Sequence, residues 1–552
     1  MLGKRQPQRS FFDALGLPHR VAPDSFYGRM GSLEAQLFKD EDLKAMYCDD
    51  NGRPSLPPSL MSGVLLLQFY DDVSDAEAVE RVLFDLRWKV ALNLSLDYSG
   101  FHPSSLSVFR TRLVEHKQER YAFDRLLKVS REAGLLADKV TLLTDTTDAK
   151  GAGAVQDTYT LLRKGIRKLI KTMGYHLPGK RQGCSADIER LISTYVDQDR
   201  RAEADWSDPA VRQAQLKILV ADSEAALNLA LAQADYPEVR SLGWMIAKIL
   251  GDDVETNDRG EAQIAEGTAA DRLISLEDPD MRHGRKSAAH KFNGYKTSTS
   301  IDQASELILD IADLPASAGD GKALMPSIAR VEEHVGVIVE CAMGDGAYGS
   351  GENRAACAER PENPIDLLSP MRRPADPAVD KSAFTIELDG QTPTATCPHG
   401  QTVSASSSTT DEDGRTSHKF TFDRAICLTC PLFARCVRSQ TTGRTLTTSP
   451  YEAYLRAARE RQQTDEFQQR YRLRSRVEGK QAELVVHGLR NTRYLGQAKR
   501  SLQRLYLAAA VNLKRITTLA KIKGIDLLAI LANSSQLQFQ THPGGTMMPA
   551  IG

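Results

Sequence analysis

Between residues 54 and 133, apolar positions recur at helical spacing in four short runs. Pro54-Ser-Leu-Pro-Pro58 leads into Leu60-Met-Ser-Gly-Val-Leu-Leu-Leu-Gln-Phe69. Ser74-Asp-Ala-Glu77 is a capping box opening a second helix through Leu86, and a third follows His102-Pro-Ser-Ser105. The third carries Arg110, Arg112, His116 and Lys117, and a fourth runs to about Ala133. Short helices joined by tight turns fit a helix-turn-helix-like DNA-binding domain, and fit equally a small bundle with an incidental basic face. The period then changes. Residues 139–145 read as a strand ending in Asp145, followed by a helix over 157–171 and three helical stretches at 188–195, 210–234 and 239–250. A hairpin over 295–301 and 307–311, a helix through Val331, a buried strand over 335–345, a short helix and a last strand at 365–369 complete a sheet of mixed direction. A polar, basic helical pattern extends over 451–487 without a proline after Pro450, and another helix over 496–519. Residues 1–50 read as an arm with at most a helix near 33–47, and the tail after Asn533 as disordered.

At 552 residues the chain exceeds a single core, and two to four domains are expected. Lys+Arg of 71 against Asp+Glu of 72 gives a net charge of −1, so any nucleic-acid binding must rest on local basic clusters. Two are evident. Asp278-Pro-Asp-Met-Arg-His-Gly-Arg-Lys286 precedes His290-Lys-Phe-Asn-Gly-Tyr-Lys296, in which Lys291 and Lys296 can follow a phosphate backbone or line an ordinary turn; the second cluster spans 456–515. No apolar run suffices to cross a bilayer and the amino terminus lacks a secretory pattern, so a soluble intracellular protein without membrane partners is expected.

Three acids carry the candidate chemistry. On an α-helix Tyr471, Arg474 and Glu478 fall within about 60° of one another, so a ring, a guanidinium and a carboxylate share one face. Taken alone, that face is equally one side of a charge-balanced solvated helix. Asp145 and Asp345 end two predicted strands, with Asp148 a rival for the first and a plain Asp-Gly turn the rival reading of the second. Three carboxylates brought together repel unless a cation joins them, and Mg²⁺ (or Mn²⁺), as two ions, suits an all-oxygen site that cuts and joins nucleic-acid backbones. Of eight cysteines, Cys397, Cys427, Cys430 and Cys436 lie within one stretch of 40 residues. Their thiolates suffice for a structural Zn²⁺, with His399 an alternative to Cys397 and free thiols in a loop the competing reading.

These motifs, in this order, resemble the DDE transposases of bacterial insertion sequences, specifically the group eleven-eighty-two type. The resemblance covers roughly residues 50–515. It rests on Arg53-Pro-Ser-Leu-Pro-Pro58, Leu143-Thr-Asp-Thr-Thr147, Gly344-Asp-Gly-Ala-Tyr-Gly349, the cysteine cluster, and Tyr471-xx-Arg474-xxx-Glu478 followed by Gly488-Leu-Arg-Asn-Thr-Arg-Tyr494-x-Gly496. It implies an α/β, ribonuclease-H-like mixed-sheet core, with Asp145, Asp345 and Glu478 as the metal-binding triad and Tyr471 and Arg474 in contact with DNA. Arg476, Lys480, Arg490, Arg493, Arg110, Arg112, Lys291 and Lys296 are the expected further DNA contacts. One position departs: relatives often carry a lysine seven residues after the glutamate, and here it is Val485.

The expected organisation is an arm (1–50), a helical DNA-binding domain (51–136), core parts at 137–173, 276–375 and 451–532, a helical insertion (174–275), a Cys-rich zinc-binding insertion (376–450) and a tail (533–552). The expected activity is cleavage of an element's inverted ends and joining of their 3′-hydroxyls to target DNA. Double-stranded DNA is the partner, a homodimer or higher assembly the acting form, and the bacterial cytoplasm, at the nucleoid, the location. A non-cutting DNA-binding regulator and a metal-dependent nuclease without strand transfer are the alternatives.

Overall fold

The structure is a computed structural model that describes residues 2–3, 20–48, 54–198, 205–371, 376, 379–388, 392–439 and 441–533. The tail expected to be disordered, Arg53 of the first motif and most of the amino-terminal arm lie outside the described residues. Within the arm, Ser25 accepts from the Gly28 N–H and starts α1 (Phe26–Leu37) earlier than expected. The helix predicted at 33–47 is instead the end of α1 plus a 3₁₀ turn, Asp40–Met46, tied down where the Ser59 N–H donates to Asp40.

Five helices follow: α2 (Pro58–Tyr70), α3 (Asp75–Phe84), α4 (Leu86–Ala91), α5 (Ser104–Glu115) and α6 (Tyr121–Glu132). Pro58 occupies the first turn of α2, where a missing N–H costs nothing, and Pro58 through Phe69 are all buried. Ser74 caps α3, its Oγ accepting from the Glu77 N–H at 3.2 Å, while the Glu77 carboxylate accepts from Arg81 at 2.8 Å. The apolar faces of these helices join the central sheet and the 27-residue carboxy-terminal helix in one continuous core.

That sheet is mixed. Its centre is β1 (Lys139–Lys150). On one side β1 pairs antiparallel with β3 (Lys291–Asp302), which pairs along its outer edge with β2 (Arg282–Arg285) and β4 (Ile308–Pro315). On the other side, after α10 (Leu324–Arg330), β1 pairs parallel with β5 (Ile338–Met343) and β5 with β6 (Asp366–Leu368), the helix α11 (Gly351–Ala358) lying between them in the chain. Asp145 therefore does not end its strand. β5 pairs with β1 only as far as Leu143, but β3 continues to pair with it as far as Lys150, so the polar residues after Leu143 stay extended.

Between β1 and β2, α7 (Thr158–Thr172), α8 (Pro209–Leu231) and α9 (Pro237–Asp253) build a second core around Leu162, Ile166, Leu219, Ile246 and Leu276. Gly165 lets α7 and α9 meet: a Cβ there would stand 2.9 Å from Ile246. After β6, strands β7 (Thr385–Glu387), β8 (Thr394–Thr396), β9 (Thr402–Thr410), β10 (Thr416–Thr421) and β11 (Thr445–Thr447) form an antiparallel meander over a small core of Phe384, Ile386, Ala395, Phe420, Phe422 and Leu446.

The single helix expected over 451–487 is broken. It comprises α12 (Glu452–Arg461), α13 (Asp465–Tyr471), a 3₁₀ turn at Arg472–Arg474, and α14 (Ser475–Val486). Thr464 causes the first break, its Oγ1 accepting from the Phe467 N–H at 3.2 Å to start a new helix. Then α15 (Gln497–Lys523) crosses the sheet edge, Asn512 both accepting from and donating to the Ile308 backbone at 2.8 Å. Among the described residues no helix is long and apolar enough to cross a membrane.

Candidate active site

Parallel pairing of β1 and β5 brings the two aspartates together. Leu143 is opposite Met343, the last pair of that ladder, and two residues further along each chain stand Asp145 and Asp345. Asp345 sits in a turn whose shape depends on Gly344: a Cβ there would lie 2.5 Å from the ring of Tyr348, which is fully buried beneath it. Asp345 Oδ1 accepts from the Ala347 N–H at 2.9 Å, and Asp145 Oδ1 from the Thr146 N–H at 2.9 Å. One oxygen of each carboxylate is thus oriented by backbone.

Above them lie α13 and α14. Although the chain tightens at Arg472–Arg474, the expected trio remains together. Arg474 Nε donates to the Tyr471 hydroxyl at 3.2 Å, and its terminal nitrogen meets Glu478 at 2.8 Å and stands 4.0 Å from Asp145. Tyr471 stacks on Phe467, ring centroids 5.5 Å apart, which fixes the ring that holds Arg474. Glu478 remains 59% exposed. Burial pushes the Asp145 carboxyl above its ordinary value; Arg474 and the Thr146 N–H oppose this, and the charges of Asp345 and Glu478 add to it. The rival Asp148 has the opposite environment. Burial alone would raise it, but His290, Arg490 and Lys286 outweigh burial and hold its carboxyl below the usual range. Both aspartates face cations, but only Asp145 also faces other acids.

The raised Asp145 has a measurable consequence. A carboxyl whose folded value lies above its unfolded one stabilises the fold only at acid pH, and that contribution is lost as pH rises through the folded value. Asp145→Asn removes the titration. In the absence of divalent cations the variant is expected to show a higher Tm than wild type at pH 7, with the gain shrinking toward acid pH. A variant no more stable at pH 7 would show that burial does not disfavour the charged Asp145 carboxylate.

As placed, no three His, Cys, Asp or Glu side chains among the described residues form a group that encloses an ion; at the acids, the Arg474 guanidinium is the cation between Asp145 and Glu478. The four clustered cysteines, with His399, line one cavity beside Phe384 and Phe422. Burial raises the Cys436 thiol, Arg444 opposing and the other three thiols adding.

The expected DNA contacts divide. Arg110 is buried, paired with Asp75 at 2.6 Å and laid over the Tyr494 ring, and does not reach a surface. Lys480 is buried too, held by Glu483 at 2.9 Å. The physical reason is the same for both. Arg110 lies on the inward face of α5 with Leu106, Phe109 and Leu113, and Lys480 on that of α14 with Val477 and Leu484. Lys296 is committed to Asp320 at 2.8 Å and to the Ala318 carbonyl, and Arg493 to Asp72 and the Val73 carbonyl. Arg112 lies over the Tyr47 ring. Arg476, Arg490 and Lys291 remain at the surface, Arg476 donating to the Gln303 carbonyl at 2.6 Å. Val485 packs against the main core. Lys286 and His290, beside Asp148, are surface basic residues that the expected contacts did not include; the absence of any acid between Arg282 and Ile301 is the signal that marks them.

No curated protein and no solved structure matches the chain at a significant level. Two family models do. Residues 17–112, which hold the amino-terminal helices, match one described as "Transposase domain (DUF772)". Residues 396–517, which hold the four cysteines, Tyr471, Arg474 and Glu478, match one described as "Transposase DDE domain". In these two stretches, one on each side of the aspartates, the chain is similar to transposases, and the matches together support a DDE transposase.

Proposed function

We propose that the chain is a DNA transposase that binds the inverted ends of an insertion sequence, cuts a strand at each end by metal-dependent hydrolysis, and uses the freed 3′-hydroxyl to attack target DNA. The observation that carries this reading is the position of Asp145 and Asp345 at one end of adjacent parallel strands, with Arg474 and Glu478 set over them. The mixed sheet, three strands antiparallel around β1 and two parallel beyond it, supports a ribonuclease-H-like core.

The donor set fits hard divalent cations: three carboxylates, and a guanidinium already drawn to the place where their charge concentrates. Asp145, Asp345 and Glu478 would hold Mg²⁺ or Mn²⁺, as two ions, which when bound supply an activated nucleophile and neutralise charge at the scissile phosphate. The chain's own groups do the rest. Backbone N–H groups orient Asp145 and Asp345 and leave each a second oxygen. Glu478, being exposed, can leave Arg474 without disturbing the core, and Arg474, steadied by Tyr471, then meets a phosphate oxygen of the bound strand. Surface Arg476, Arg490 and Lys291 add salt-dependent backbone affinity.

Cys397, Cys427, Cys430 and Cys436 are proposed to hold a structural Zn²⁺, which would stabilise a β unit whose own core is small. Metal analysis finding no zinc in the purified protein would exclude it. The acting form is proposed to be a homodimer or higher assembly on DNA, in the bacterial cytoplasm. The test is incubation of labelled DNA carrying the element's ends with a target plasmid and Mg²⁺. Labelled plasmid is the expected product; ends cut but never joined would make the protein a nuclease, and ends bound but intact a regulator.

A further inference from the structure

Two exposed cations and an exposed histidine converge on one largely buried carboxylate beside the proposed cutting site. His290 Nε2 lies 3.3 Å from Asp148, Arg490 3.8 Å and Lys286 3.9 Å, with side chains 54%, 47% and 58% exposed against 11% for Asp148. They come from two distant parts of the chain, one held to β1 by backbone hydrogen bonds and the other a turn closed on itself. The Lys150 N–H donates to the Arg490 carbonyl at 2.8 Å and the Thr492 N–H to the Lys150 carbonyl at 3.2 Å, so the 490–492 loop runs along the edge of β1 that β5 has left. Lys286 and His290 sit in the turn between β2 and β3, closed by the Lys286 N–H donating to the His290 carbonyl at 2.9 Å. Arg490 Nε also reaches Thr147 Oγ1 at 3.2 Å; Thr147 projects from the same face of β1 as Asp145, so Arg490 straddles the strand edge toward the acids.

We infer that Lys286, His290 and Arg490, gathered on Asp148, form a seat for a backbone phosphate of the DNA strand that enters the proposed cutting site. The inference rests on the DNA-cutting reading of that site. Cations this close repel one another, and a single carboxylate at their centre holds them together without neutralising them: Lys286 and Arg490 against Asp148 leave a net positive charge at the surface. Their distances to Asp148, all above 3.2 Å, are those of loose pairs rather than committed ones, in contrast to Arg110 or Lys480. From Arg282 to Ile301 there is no Asp or Glu, and Arg285 and Lys291 flank the turn on the surface. Asp148 is three residues from Asp145, about 10 Å along an extended strand and on its other face, so a DNA strand would reach from the seat to the acids around the strand edge that Arg490 straddles. A phosphate in the seat would belong to the strand being cut, a few nucleotides from the scissile bond.

The contact is to backbone, so random-sequence DNA tests it. Binding of a fluorescently labelled random-sequence duplex and of a labelled single strand is measured against salt for wild type, Lys286→Gln, the Lys286→Gln/Arg490→Gln pair, and Lys217→Gln, a surface control on α8. Lys286→Gln is expected to bind about threefold to fivefold more weakly than wild type, and the pair about tenfold or more, with a salt slope shallower by about 1.8 on duplex DNA. Melting temperatures should match wild type, and Lys217→Gln should bind as wild type does. If wild type binds but Lys286→Gln and the pair retain its affinity and slope, the seat is wrong while the DNA reading survives. If wild type binds neither DNA, the DNA reading falls and this inference with it.

Discussion

Asp345→Asn is expected to reduce Mg²⁺-dependent cleavage of end-bearing DNA by about a thousandfold, equivalent to about 4 kcal/mol of transition-state stabilisation. DNA affinity should change by less than about twofold. The substitution keeps the turn: asparagine Oδ1 still accepts from the Ala347 N–H, and the Tyr348 ring still packs beneath Gly344. It removes one of the negative charges that the site presents to a divalent cation, and no neighbouring acid replaces it, since Asp148 is turned to Lys286, His290 and Arg490. Cleavage within tenfold of wild type would mean that Asp345 is only a turn residue, as the Gly344-Asp-Gly346 sequence on its own allows.

The second large effect concerns the fold. Arg500, on α15, is nearly fully buried, donates to Asp278 at 2.9 Å and Asp280 at 3.2 Å, lies 3.6 Å from Asp313, and covers the Tyr295 ring at 3.8 Å. Asp278 is wholly buried, and Arg504 meets Asp313 from the next turn of the same helix at 3.3 Å. The cluster joins the end of the helical insert to the central sheet and the carboxy-terminal helix. Arg500→Met leaves Asp278 charged, buried and unpaired, so a loss of about 3–5 kcal/mol is expected in denaturant unfolding. Arg500→Met/Asp278→Leu, which removes both charges, should recover a large part of it. A single variant as stable as wild type would show that the cluster is reached by water and contributes little.

The strand and helix positions around the site were legible because each apolar run keeps a clear period. The order Asp, Asp, Tyr-xx-Arg-xxx-Glu was enough to nominate three acids, of which Asp145 and Asp345 follow the last pair of the β1–β5 ladder and Glu478 shares Arg474 with Asp145. What escaped the reading was tertiary. β1 looks finished at Asp145 because Thr146-Thr147-Asp148 are polar, and only its pairing with β3 keeps them extended. The long helix over 451–487 looks continuous, yet Thr464-Asp465-Glu466 is a helix start, a capping hydroxyl followed by acids in the first turn, and was visible in the sequence. Arg110 and Lys480 counted as basic surface when their apolar neighbours at helical spacing place them inward. The meander at 385–447 has strands made mostly of Thr and Ser, which alternate too weakly in polarity to stand out from a loop. Arg474 between Asp145 and Glu478 depends on α13 and α14 crossing the ends of β1 and β5, which no local pattern encodes.

If Asp145, Asp345 and Glu478 form one metal-dependent DNA-cutting site, Glu478→Gln removes a ligand from it. Glutamine keeps the size of the side chain and a hydrogen-bond acceptor for Arg474, and removes only the charge. Cleavage of labelled DNA carrying the element's ends is compared for wild type and variant with Mg²⁺, alongside binding of the same DNA. Wild type is expected to cut, and the variant to bind as tightly without cutting. Equal cutting by both proteins would contradict this, since Glu478 would then be no part of the site.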